Sequence, residues 1–173
     1  MIILNKDELE YVDFNNSCNV FIETSSLVNK RSSNYVISLV SVAFNENNKV
    51  IIMQFLNDSL ETDKELLQLV MKELIKYQQV SVVNNFISRH LIIRLKANNI
   101  DYSKINFFFL GTTVKEIYSN TNIPIYEIAK ESTDVYMRYL CEKDGPALCE
   151  YLNYNIMHTI LLIKYLIKKK RSE

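Results

Sequence analysis

A carboxylate stands where an apolar run breaks off. In Asn19–Leu27 (NVFIETSSL), Val20, Phe21 and Ile22 read as a buried strand, and Glu23, Thr24, Ser25 and Ser26 end it with polar groups. Ligands of open α/β sheets gather outside the carboxyl ends of strands, so Glu23 is expected in a site rather than in a core. Two later stretches gain interest from it. Val82–Leu91 carries His90 and Tyr151–Leu162 carries His158, the only histidines of the 173 residues.

The elements that must position these residues follow from periodicity. Tyr35–Phe44 (YVISLVSVAF) and Lys49–Leu56 (KVIIMQFL) alternate and are rich in β-branched and aromatic residues, and Asn45-Glu46-Asn47-Asn48 between them has turn composition. Strands are therefore expected at 19–23, 35–44 and 49–55, the last two as an antiparallel hairpin. Met1–Leu4 reads as a short strand. Thr62-Asp63-Lys64-Glu65 has capping-box spacing ahead of Leu66, Leu67, Leu69, Val70, Leu74 and Ile75 at helical intervals, which predicts a helix over 62–77. Gln79–Val83 reads as a strand, Ser88 as the cap of a helix over 89–98, and Ile105–Leu110 (INFFFL) as a short buried strand of the parallel type. Helices are then predicted over 112–119, 124–131, 133–142 and from Pro146 to about Lys169, with Pro146 in a first turn.

Composition narrows the class. With 48% hydrophobic residues and two each of Gly and Pro, the chain predicts one compact domain over 1–173. Lys plus Arg equals Asp plus Glu at 20 each, so net charge argues for neither a nucleic-acid nor a membrane surface. Three cysteines without C-x-x-C spacing, and no signal-like start, predict a cytoplasmic protein with reduced thiols. The most apolar run, Ile160–Ile167, is interrupted by Lys164 and is far shorter than the ~20 residues of a membrane span, so no membrane partner is expected.

The element order and three motifs together resemble the RNase H-like 3'-5' exonucleases of the DEDD superfamily, DEDDy type, in particular its bacterial predicted exonuclease domains, over residues 18–168. Phe21-Ile22-Glu23-Thr24-Ser25-Ser26-Leu27 lies on a motif like D-I-E-T-T-G-L, keeping the second acid as Glu23 and replacing the first by Phe21. Asn84-Asn85-Phe86-Ile87-Ser88-Arg89-His90 lies on one like Y-N-G-x-x-F-D, and Tyr154-Asn155-Ile156-Met157-His158 on one like Y-N-x-x-D. The resemblance implies an α/β fold, an RNase H-like five-stranded mixed sheet flanked by helices, with the last helix delivering Tyr154 and His158 towards Glu23. Phe86 and Ser26 stand where the family has glycines that let substrate or backbone approach closely.

Of the four carboxylates that hold two divalent ions ~3.5–4 Å apart in that family, this chain keeps one. The resemblance thereby implies a degenerate site, a pseudoenzyme. Metal binding is lost, the histidines pair with Glu23 by charge-assisted hydrogen bonds, no cofactor is needed, and single-stranded DNA or RNA, or a protein partner, is bound without cleavage. The alternative is a rebuilt site in which Glu23, His90 and His158 hold Mn²⁺ or Zn²⁺ and support phosphodiester cleavage, since imidazole suits such ions far better than Mg²⁺. In that alternative Glu23 and Tyr154 are catalytic, Tyr154 lying one helical turn before His158. Thr24, Asn85 and Asn155 are the implied substrate-binding positions. Three other features have plainer readings. The basic tail Lys164–Arg171 complements a helix dipole, Phe107–Phe109 belongs to the core, and Cys141 and Cys149 pack on helix faces.

Overall fold

The computed structural model describes residues 2–6, 17–25, 36–47, 49–59, 61–83, 86–110, 116, 119 and 135–172. The chain divides into two compact units, Met1–Thr112 and Thr113–Glu173.

The first unit is built on one sheet. Its strands are β1 (Ile2–Lys6), β2 (Ser17–Ser25), β3 (Val36–Glu46), β4 (Lys49–Leu56), β5 (Gln79–Val83) and β6 (Phe107–Leu110), in the order β1-β4-β3-β2-β5-β6. Pairings β1·β4, β4·β3 and β3·β2 are antiparallel, whereas β2·β5 and β5·β6 are parallel. The expected RNase H-like five-stranded mixed sheet is thereby corrected. The sheet has six strands, because the apolar residues of Ile2–Lys6 add to β4 as an outer strand, Ile2 opposite Phe55 and Lys6 opposite Ile51. The helix expected to bring Tyr154 and His158 to Glu23 belongs to the second unit.

Helices α1 (Lys64–Leu74) and α2 (Phe86–Ala97) accompany the sheet, α1 against β4 and α2 against β2 and β3. Leu66, Leu67, Val70 and Leu74 of α1 and Leu91 and Leu95 of α2 meet Val40, Val42 and Phe44 of β3 and Ile51 and Phe55 of β4 in one apolar cluster. The opposite face of these strands, with Leu39, Ala43, Val50, Ile52 and Leu56, is buried too. β3 and β4 thus bury apolar residues on both faces, where the alternation predicted for them would bury only one.

Local chemistry sets the ends of the elements. Asn47 takes the left-handed conformation (φ 50°) in the β3–β4 hairpin, as the Asn-rich turn predicts. The α2 helix ends in a Schellman motif: Asn99 is left-handed (φ 54°), its N–H donates to the Lys96 carbonyl, and Ile100 N–H reaches back to Leu95. The expected capping box over 62–65 does not form. The residue before the first turn is Asp63, and its side chain makes no cap hydrogen bond, while Thr62 Oγ1 accepts the Lys64 N–H at 3.2 Å. Ile75 falls beyond the helix and is exposed, so the predicted 62–77 shortens at both ends.

In the second unit a helical segment over 135–142, α3, is followed by the long helix α4 (Gly145–Ser172). Lys143, left-handed at φ 55°, closes α3 through its N–H to the Tyr139 carbonyl. Asp144 caps α4, its Oδ1 accepting the Ala147 N–H at 3.2 Å, and Pro146 sits in the first turn as predicted. Tyr136 of α3 stacks on Tyr151 of α4 with ring centroids 4.9 Å apart, and both rings are buried. Cys141 and Cys149 are exposed rather than packed. The predicted helices over 112–119 and 124–131 lie outside the described residues, except that 116 and 119 are helical. Among the described residues no helix is long and apolar enough to cross a membrane.

Candidate functional site

Strands β2, β4, β5 and β6 all point the same way, so their carboxyl ends share one edge of the sheet with the start of β3. Glu23 is placed at that edge, opposite Leu39, which in turn faces Leu56, and Thr24 lies opposite Ile37. One step on β2, from Glu23 to Thr24, matches two steps on β3, from Leu39 to Ile37, so Ser38 is the extra residue of a β-bulge. The bulge turns main-chain groups of β3 towards the segment that follows β4. Asn57 N–H donates to the Ser38 carbonyl at 2.8 Å, and Asn57 Nδ2 donates to the Ile37 carbonyl at 3.1 Å.

The same segment ends at Asp63, which is fully buried. Its Oδ2 accepts from Ile37 N–H (3.1 Å) and Arg94 Nε (2.8 Å), and its Oδ1 accepts from Arg94 Nη2 and Asn98 Nδ2, each at 2.9 Å. Four donors fill both oxygens, so this carboxylate has no lone pair to offer a metal ion. It joins β3, α1 and α2 at a single point. Sequence reasoning passed over this node. The available signal was Asp63 directly before α1, with Arg94 on α2 and Asn98 four residues on, just past its end.

His90 lies one turn before Arg94 and is 9% exposed. Burial, and secondly the Arg94 guanidinium, push its pKa below the ordinary 6.5 and favour the neutral ring. A stability consequence follows with a definite sign. The unfolded chain takes up the proton near 6.5 while the folded one resists it, so His90 contributes fully above that pH, and the contribution is lost as pH falls through the folded value. In urea unfolding followed by far-UV circular dichroism, His90→Gln is expected to lie closer to wild type at about pH 5 than at about pH 7.5. A gap independent of pH would contradict this environment.

Tyr154, Asn155 and His158 all lie on α4, in the second unit, whereas Glu23, Thr24 and His90 lie in the first. Asn155 is fully buried, and its Nδ2 donates to the Tyr151 carbonyl one turn back at 2.8 Å. Thr159 in turn donates to the Asn155 carbonyl. Tyr154 is half-buried with its hydroxyl out of solvent contact. Asn85 lies outside the described residues, and His158 is described by its place in the helix. Among the described residues, no three His, Cys, Asp or Glu side chains converge as a metal site would require.

Of the three consecutive phenylalanines in β6, Phe107 and Phe109 pack against the core, but Phe108 is 52% exposed. Alternation along the strand turns the middle ring outward, which the reading of all three as core did not anticipate. No protein-family model matches this chain, and neither a curated protein nor a solved structure matches it.

Proposed function

We propose that the chain is a binding protein with a degenerate nuclease-type site, one that holds single-stranded DNA or RNA without cleaving it. The observation that carries this reading is the environment of His90. A buried imidazole whose protonation is opposed first by burial and then by the Arg94 guanidinium is a poor place for a divalent cation, because the loss of solvation and the nearby positive charge both disfavour a cation there. The nearby Asp63 carboxylate is spent on Arg94, Asn98 and Ile37. Exposed Phe108 on the outer strand supports the nucleic-acid half, since an aromatic face stacks on any base.

The test is a fluorescein-labelled single-stranded oligonucleotide, as DNA and as RNA, incubated with purified protein and Mg²⁺, Mn²⁺ or Zn²⁺. No shortening beyond that given by Glu23→Ala and His158→Ala is expected. Fluorescence anisotropy is expected to show salt-dependent binding that Phe108→Ala weakens about tenfold or more. Cleavage with Mn²⁺ or Zn²⁺ that both variants abolish would replace this reading by the metal-dependent exonuclease. Absence of both cleavage and binding would overturn the nucleic-acid half and turn the search to a protein partner.

A further inference from the structure

Strand β6 pairs on one side only. It follows β5 at the end of the sheet, and no strand lies beyond it among the described residues. Its ladder decides which main-chain groups are left over. The Asn106 carbonyl accepts the Val80 N–H at 2.9 Å, and Val80 is level with Phe107. Successive residues of a strand present their N–H and C=O to alternate sides, so those of Phe108 turn to β5 with those of Asn106, and those of Phe107 and Phe109 turn to the open side. These outward groups have no hydrogen-bond partner among the described residues.

The edge is also unguarded. Proteins blunt an open sheet edge with a charge, a proline or a bulge. Phe107–Leu110 carries no charged residue and no proline, and its register with β5 runs without a bulge from Val80 to Val83. Phe108, 52% exposed, stands on the face opposite to the apolar cluster against which Phe107 and Phe109 pack.

We infer that β6 pairs antiparallel with β6 of a second copy of this chain, about a two-fold axis through Phe108, and joins the two sheets into one. This register sets Phe107 opposite Phe109 of the copy and Phe109 opposite its Phe107, each pair exchanging both N–H···O bonds, so every outward group of the two residues is satisfied at once. Phe108 then meets Phe108 of the copy directly across, in the non-hydrogen-bonded position where Cα atoms are about 4.5 Å apart and side chains touch most closely. An uncharged strand meets no like charge in its own copy, and two identical strands match in length, which favours a second copy over an unrelated extended segment. The pairing uses up the open edge of both copies, so assembly closes at two chains. It rests on main-chain groups and stands whichever way the oligonucleotide experiment turns out.

Sedimentation velocity of the full chain without nucleic acid, from about 5 to about 500 µM, is expected to show a reversible shift from monomer to dimer. Amide hydrogen exchange over the same range locates the contact: the Phe107 and Phe109 amides are expected to slow about fivefold or more as the dimer fills, while the Phe108 amide, bonded to β5 within the chain, does not respond. Phe108→Lys and Phe108→Glu are each expected to weaken association about tenfold by setting like charges across the axis, and an equal mixture of the two variants is expected to restore it. A chain that stays monomeric over the whole range would overturn the inference, as would a dimer whose Phe107 and Phe109 amides exchange as fast as in the monomer. So would a mixture of the two variants, both folded by far-UV circular dichroism, that associates no better than either alone.

Discussion

Asp63→Ala is expected to cost the first unit about 3–5 kcal/mol, the usual penalty for breaking a buried ion pair by removing one partner. The reason lies in what is left behind. The Arg94 side chain is only 16% exposed and loses both of its contacts to Asp63, while Ile37 N–H and Asn98 Nδ2 lose an acceptor. Urea unfolding by far-UV circular dichroism measures the loss directly. The pair itself is a poor source of net stability, because burying two charges offsets most of their attraction. Asp63→Leu combined with Arg94→Met is therefore expected to recover much of what Asp63→Ala loses. A loss below about 1 kcal/mol for Asp63→Ala would mean that water reaches the guanidinium and that the node does not hold β3, α1 and α2 together.

Tyr136→Ala is expected to cost a similar amount, about 3–5 kcal/mol, in the second unit. Tyr136 is 1% exposed and is the largest fully buried side chain among the described residues, so its removal leaves a ring-sized void against Tyr151. Tyr136→Phe separates the ring from the hydroxyl. If packing dominates, Phe retains most of the stability and Ala loses it, which thermal unfolding at 222 nm distinguishes. Equal losses for both variants would assign the stability to the hydroxyl instead.

Periodicity made most of the elements legible and the site hardly at all. The strands at 36–46, 49–56 and 79–83 and the long last helix each carry a pattern dictated by the face they bury, so apolar spacing alone locates them within a few residues. The edge strand Ile2–Lys6 completed the sheet from a stretch too short for its pattern to show which strand it would join. Asp63 was misread because its nearest neighbours in sequence suggested a local cap, whereas its partners are 26, 31 and 35 residues away. Asn155 was assigned to substrate binding from a motif alone, and its burial and the Nδ2 bond to its own helix were not legible from that motif. Phe108 was assigned to the core because three like residues carry no internal sign of which one faces out.

The bulge at Ser38 works as a frame shift in a strand. Without it, Ile37 would share a face with Leu39, Ser41 and Ala43; with one residue added, it joins Val40, Val42 and Phe44 in the apolar cluster instead. Two halves of one strand thus obey opposite parities. Loss of that single residue would swap the sheet faces of the two positions before it, Val36 and Ile37, and carry the Ile37 amide away from Asp63. A deletion of one amino acid here is therefore a change of phase, felt by everything upstream in the strand, where a substitution at the same position would be felt only locally.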